Sequence, residues 1–199
     1  MKKFLFAQVI TVLFLASCGN LYNDGLDSMG REIIFNLRDI GPAGGLVFYD
    51  KGYYSDGWRY MEVTQFDQDI TTWSDVSSQI GTTGTIIGTG LGNTYLITHQ
   101  SGHTTTNYAA KLCEDFVFNG YSDWFLPSWD ELNKMYINLT KGIDENGISY
   151  THVGNLDGRI YWSSSEKDAG NAKSMDFTNG SQSDWPKNGS RSVRATRRF

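Results

Sequence analysis

His99 and His103 are four residues apart, the spacing that sets two imidazoles on one helix face to hold zinc. Gly102 and the run Thr104-Thr105-Thr106 argue against a helix there, so polar loop histidines are the stronger reading. Asp144-x-Asn146-Gly147 starts like a calcium loop, whose clustered oxygens suit a hard cation. Asn155 stands where the bidentate glutamate belongs, and a plain turn accounts for the segment. Gly88-x-Gly90-x-Gly92 has glycines suited to a phosphate loop, but without a clear preceding strand, a following Lys-Ser/Thr or a βαβ frame it reads as a tight loop. Cys113 could act as a nucleophile, yet its place on an apolar helical stripe predicts a buried, inert thiol. Asp130 and Glu131 could form an acid/base pair, although helix capping already explains both. No catalytic set, metal site or cofactor is expected.

Arg191, Arg194, Arg197 and Arg198 make the one basic cluster, and guanidiniums can grip sulfate or carboxylate groups through bidentate hydrogen bonds. On a strand their side chains divide between two faces, which favours pairing with the chain's many acids. The polar segment Ser181 to Gly189 is more suggestive, read as a loop. Trp185 there could stack a sugar or pack on a protein, with Asp184, Lys187 and Asn188 as its polar contacts; covering the core is its competing role.

The chain opens with Lys2 and Lys3 before a largely apolar run from Phe4 to Ala16. A bilayer-spanning helix needs about 20 apolar residues, so this shorter run reads as a signal peptide. Leu15-Ala16-Ser17-Cys18 resembles the bacterial lipobox, which makes Cys18 the lipidated first residue of the mature protein. Each buried CH2 contributes about 0.8 kcal/mol, so two or three acyl chains anchor firmly. Gly19 rather than an acid follows the cysteine, which by enteric sorting rules favours the outer membrane or cell surface of the bacterial envelope. The expected organisation is residues 1–17 as signal peptide, 18–30 as a lipidated, Asn/Asp/Gly/Ser-rich tether, and 31–199 as the folded domain.

The 199 residues include 39% hydrophobic and 14% aromatic side chains, enough for one domain with a real core and too aromatic for a disordered chain. A net charge of -5 argues against general nucleic-acid binding, which rests on clustered Lys and Arg. The elements that must position the polar residues can be read in outline. Arg31 to Leu37 has β-rich composition; Leu46 to Tyr49 and Trp58 to Val63 read as strands of a hairpin turned by residues that tolerate positive φ, Asp50-Lys51-Gly52 and Ser55-Asp56-Gly57. Thr64 to Thr94 reads as a long ordered loop pinned by Trp73 and Ile86-Ile87. A helix capped by Asn107 and closed by Asn119-Gly120 follows, then a second with the capping box Ser128-Trp129-Asp130-Glu131, ending before Gly142. Arg159 to Ser164, Ala172 to Phe177 and Ser192 to Phe199 read as further strands. Strands, two helices, then strands indicate α+β rather than a doubly wound sheet.

Several motifs in this order carry a resemblance: Gly41-Pro42-Ala43-Gly44-Gly45 with Phe48-Tyr49-Asp50, Ser55-Asp56-Gly57-Trp58-Arg59-Tyr60, Gly88-Thr89-Gly90 with Asn93-Thr94, Asp123-Trp124-Phe125-Leu126-Pro127-Ser128, Asp130-Glu131-Leu132, Tyr161-Trp162-Ser163-Ser164, and Val193-Arg194-Ala195 with Arg197-Arg198-Phe199. From about Ile40 to the end the chain resembles the Lcl C-terminal domain-like family, a bacterial domain of unknown function found on secreted proteins and lipoproteins. The resemblance implies a C-type-lectin-like fold with paired N- and C-terminal strands, two helices and long loops. With Cys18 lipidated and Cys113 alone, no disulfide is available to it. The Glu-Pro-Asn and Gln-Pro-Asp tripeptides of calcium-dependent sugar binders are missing, so that activity is not carried over, and Trp162 reads as a core residue of a central strand. The wider superfamily includes a formylglycine-making oxidase, whose chemistry needs reactive cysteines in the folded domain. The expectation is therefore a non-enzymatic, lipid-anchored surface domain recognising a glycan or protein ligand in the manner of an adhesin. The alternative is a structural envelope lipoprotein that binds other envelope proteins.

Overall fold

The structure is a computed structural model and describes residues 33–156 and 158–199. The expected signal peptide, the tether and Cys18 lie outside the described residues. The first hairpin joins β1 (Leu46–Ser55) to β2 (Trp58–Val63) through Asp56 and Gly57, with φ of 54° and 84°. Two positive φ values are what a two-residue type I′ turn demands, and its twist matches the strands it joins. A Cβ on Gly57 would meet nothing within 4 Å. Gly57→Ala should therefore cost only the conformational strain, about 1 kcal/mol, seen as a small drop in melting temperature.

Two sheets follow. The smaller has the order β1-β2-β8, with β8 (Thr196–Arg198) antiparallel to β2, so the N-terminal hairpin and the C-terminal strand are paired. The larger has the order β3-β7-β4-β5-β6, from β3 (Asp69–Thr72), β4 (Ile160–Glu166), β5 (Asn171–Asp176), β6 (Ser181–Pro186) and β7 (Ser190–Val193). Among the described strands only the β4–β7 pair is parallel. Helices α1 (Gly90–Thr98), α2 (Ala109–Glu114) and α3 (Trp129–Met135) complete the fold, α3 running into a π-helical turn over Tyr136–Thr140. The architecture is mixed α/β, its strands mostly antiparallel, and Cys113 is a free buried thiol.

Central β4 shows why its sequence lacks simple apolar alternation. Neighbours on a strand point to opposite faces: Trp162 packs with Trp73, Ile97, Cys113 and Trp124, while Tyr161 packs with Phe48, Met61, Leu132 and Phe177. Both faces of the large sheet are thus covered at β4. The buried indoles keep their donors satisfied, Trp162 Nε1 to Thr71 O at 2.9 Å and Trp73 Nε1 to Ser163 O at 2.8 Å.

Five expectations are corrected. The supposed loop from Thr64 to Thr94 contains β3 and the start of α1, making three α-helices rather than two among the described residues. Gly90 and Gly92, read as part of a tight loop, lie in α1, and Gly90 is required for close packing: a Cβ there would lie 2.9 Å from the Phe125 ring and nearer still to a Glu131 oxygen. Ser181 to Pro186 is a strand, β6; as an edge strand exposed on both faces it needs no apolar alternation. Ser192 to Phe199 splits around Arg194 and Ala195 into β7 and β8, which belong to different sheets. Helix α2 ends at Glu114 and has Tyr108, not Asn107, at its N-cap; Asn119 and Gly120, with φ of 49° and 85°, instead turn the chain between bridged Phe118 and Tyr121. Ile33 to Leu37, the described part of the first β-rich stretch, forms no strand.

Candidate functional site

The structure does not gather Asp184, Trp185, Lys187 and Asn188 around one ligand. Asp184 and Trp185 are consecutive on β6 and so face opposite sides. Asp184 lies 3.2 Å from Lys173 Nζ, and the Arg191 guanidinium sits 3.8 Å over the half-exposed Trp185 ring. Lys187 points inward, its Nζ 2.6 Å from Glu166 Oε1 and 4.8 Å over the Trp73 ring, both partners of that ion pair being buried. Asn188 is exposed in the turn before β7.

Most of the other chemical signals serve to pin loops. In a fold whose described cysteine is unpaired, buried carboxylates accept backbone N–H groups of long connections. Glu62 takes Ala43 N and Gly45 N at 3.1 and 2.8 Å, fixing the turn Gly41 to Gly45. Glu166 takes Ile80 N and Gly81 N at 3.0 and 2.8 Å. Glu131 takes Gly88 N at 2.7 Å and Gly90 N at 3.3 Å, so the glycines suited to a phosphate loop hold an internal carboxylate instead. Asp144 Oδ1 accepts from Asn146 N and Ile148 N, and its Oδ2 from Arg38, which makes the calcium-like segment a clasped turn. Asp75 accepts from the Thr104 and Thr105 amides, the Thr104 hydroxyl and His103; burial works against its charge, but these donors outweigh it and hold the carboxyl well below the usual aspartate range.

His99 and His103 have separate partners. The His99 ring stacks on Tyr95 at 3.9 Å, whereas His103 stacks on Tyr108 at 4.2 Å with its Nε2 2.8 Å from Ile97 O. Among the described residues no three His, Cys, Asp or Glu side chains group to hold a metal ion. Cys113 is fully buried, and burial pushes its thiol pKa up.

Arg194 and Arg197 pair with acids, and Arg194 builds the floor of a cleft of about 610 Å3. One wall is the β2–β3 connection from Gln65 into β3. Thr64 Oγ1 donates to Phe66 O at 2.9 Å, while Thr64 N and Gln68 N donate to Ala195 O and Val193 O, so this connection is tied to the C-terminal strands at both ends. The other wall is His152 to Asn155, turned by left-handed Gly154 and Asn155. Arg194, with a side chain only 1% exposed, bridges the walls: its Nη1 donates to Thr64 O and Gly154 O, both at 2.9 Å, and its Nη2 to Asn155 O at 3.0 Å.

Asp67 also lines this cleft. Its Oδ1 is 2.6 Å from Arg194 Nη2 and accepts from the Tyr161 hydroxyl at 2.9 Å, while Arg159 Nη1 lies 3.2 Å from its Oδ2. Burial, reinforced by Asp67, holds the Tyr161 pKa above its usual value despite Arg194, which keeps the phenol a donor to that carboxylate. Asp67 Oδ2 and Arg194 Nε are buried yet have no hydrogen-bond partner among the described residues. Phe66, another lining residue, is 43% exposed, and its ring is held edge-on by Phe116 and Phe118 at 5.9 and 5.3 Å. Sequence reasoning missed Asp67, Phe66 and Arg159, which sit in no motif; Arg159 meets Asp67 across 92 residues of chain. The pairing of Arg194 with an acid was its one legible part.

The family described as the Lcl C-terminal domain matches residues 63–197, a span that takes in the whole cleft. A solved structure of a fimbrial protein from Bacteroides ovatus ATCC 8483 is similar, with 14% identity and a TM-score of 0.46 over 71% of this chain and 36% of that one. This chain thus spans little more than a third of that protein's length. Nothing matches among curated proteins.

Proposed function

The chain belongs to the Lcl C-terminal domain family, and on that premise we propose that it is a lipid-anchored, non-enzymatic recognition domain of the bacterial cell surface, C-type-lectin-like in fold, that takes a glycan or protein ligand. The observation that carries this reading is the cleft between the β2–β3 connection and His152 to Asn155, open to solvent, polar at its floor and lined in part by a fixed aromatic ring. Pairing of β2 with β8 and the long clasped loops support the lectin-like assignment. The lipobox at Leu15 to Cys18 supports the anchor; none of the described helices is long and apolar enough to cross a membrane. The buried, raised-pKa thiol of Cys113 supports a binding rather than a cysteine-based catalytic role.

The test is a screen of the full chain in detergent against glycans and extracellular-matrix proteins, with and without calcium. Saturable binding to a ligand of either class is the expected result, retained in Trp185→Ala because that ring lies on an edge strand and its foreseen partner Lys187 is spent on Glu166. Absence of saturable binding under every condition would overturn the reading in favour of a structural envelope role.

A further inference from the structure

We infer that the projecting end of the β1–β2 hairpin, together with Ile33 and Ile34, seats on the phospholipid surface that holds Cys18 and so orients the domain there, an assignment that rests on the lipid anchor proposed above. Three observations converge on a lipid partner.

The first is the set of side chains that the hairpin carries into solvent. Strand β1 is buried from Leu46 to Phe48, but at its far end Tyr53 is 64% and Tyr54 59% exposed. Consecutive strand residues face opposite sides, so both sides of this end lie open. Between them and the core, Lys51 Nζ lies 3.9 Å over the Trp58 ring and donates to Ser55 O at 2.7 Å. Tyrosine and tryptophan beside a lysine suit a membrane–water interface, where rings meet the acyl boundary while hydroxyls and the ammonium stay with the headgroups.

The second is where the chain enters the fold. Phe35 packs edge-on against Tyr60 at 5.3 Å and its N–H donates to the Tyr60 hydroxyl at 3.3 Å, while Tyr60 is the register partner of Asp50 at the base of the projecting end. Ile33 and the 59% exposed Ile34 therefore emerge beside the hairpin, as the first described residues after the anchor. Cys18 and Ile33 are 15 positions apart, a stretch that reaches at most about 50 Å. Contact of this end with the anchoring membrane is thus intramolecular, at an effective concentration in the ~mM range, and a weak interfacial affinity is enough to hold it.

The third is charge. Lys51, Arg59 and Arg198, whose guanidinium lies 5.8 Å from the Trp58 ring, outnumber Asp50 and Asp56, in a chain whose formal net charge is -5. A positive excess at this end suits phosphate headgroups, which the acidic remainder of the chain does not.

Spin labels at Ile34→Cys, at Tyr54→Cys and, on the larger sheet, at Asn188→Cys test this in the lipidated full chain, reconstituted into vesicles of phosphatidylethanolamine and phosphatidylglycerol. Cys113 is buried and stays unlabelled. The expected result is that the labels at 34 and 54 gain access to dissolved oxygen and are shielded about fivefold from a water-soluble nickel chelate, relative to the label at 188. Tyr53→Ser combined with Tyr54→Ser should abolish the shielding of the label at 34. Melting temperatures near the parent's show that the fold survives, since these side chains are exposed. Equal chelate access at all three positions, in protein whose Cys18 carries its acyl chains by mass spectrometry, overturns the inference and leaves the anchor standing. Spin–spin broadening between labels at 54 without gain of oxygen access assigns this end to a second copy of the chain and overturns it too. If Cys18 carries no acyl chain, the anchor and the inference fall together.

Discussion

Glu131→Ala is expected to destabilise the domain by about 3 to 6 kcal/mol, read as a lowered urea midpoint, because two buried N–H groups and a half-buried one would lose their acceptor at once. Glu131 is fully buried and closes the capping box of α3 by accepting from Ser128 N at 2.7 Å. The same carboxylate accepts from Gly88 N and Gly90 N, so it also sets the entry to α1. Glu131→Gln is the sharper probe. Its amide oxygen can still serve the two glycines, but its NH2 would then oppose the Ser128 N–H, so about half of the loss should remain.

The pH dependence has a definite sign. Burial raises the Glu131 pKa against the hydrogen bonds that lower it, and Glu62 is raised for the same leading reason. A folded-state pKa above the unfolded one means that folding takes up a proton, so the contribution to stability is fullest below the usual glutamate range and is lost as pH rises through the folded value. Asp75 has the opposite sign: its depressed pKa gives stability that is present above the usual aspartate range and is lost as pH falls towards the folded value. The urea midpoint should therefore peak at mildly acidic pH, about 5, and Glu131→Gln should flatten its decline towards neutrality. A glutamine variant with the parent's midpoint and the parent's slope would refute the clasp.

Such clasps mark the boundary between what the sequence discloses and what it withholds. The capping box at Ser128 and the Asp56-Gly57 turn were legible because each involves residues within one turn of chain. That Glu131 also reaches Gly88, 43 residues earlier, leaves no local trace, and the loop reading of the glycine segment followed from that blindness. Helix α1 was missed because its glycines argue against a helix unless the carboxylate and the Phe125 ring that exclude a side chain are known. Strand β6 was missed because an edge strand solvated on both faces carries polar residues without a period. The candidate site shows the same split. Trp185 drew attention as an aromatic among polar residues, yet strand geometry turns Asp184 to the other face and a buried acid claims Lys187. Asp67, Arg159 and Arg194 converge only when β3, β4 and the chain between β7 and β8 are in place.

The second large effect is expected at Arg197, whose guanidinium is 2% exposed and holds Glu62 Oε1 at 2.8 Å on Nη1 and both Asp123 oxygens at 2.8 and 3.0 Å on Nε and Nη2. Through Glu62 this contact joins β8 to β2 and to the turn Gly41 to Gly45. Arg197→Met would leave the buried Glu62 charge unmatched and should cost about 3 to 5 kcal/mol. Lysine should rescue little, because a single ammonium cannot span Glu62 and make a bidentate contact with Asp123. The two acids should not contribute equally. The Asp123 side chain is 51% exposed, so Asp123→Ala should cost less than about 1 kcal/mol. Adding Glu62→Gln to Arg197→Met removes the stranded charge while keeping one oxygen for the Gly41 to Gly45 turn, and should recover part of the stability, about 1 to 3 kcal/mol in a double-mutant cycle. Equal urea midpoints for Arg197→Met and Asp123→Ala would mean that the exposed acid, not Glu62, is the partner that matters. A large loss at Arg197 with recovery in the double variant would show that a desolvated charge, held by one guanidinium, ties the C-terminal strand to the N-terminal hairpin where no described disulfide does so.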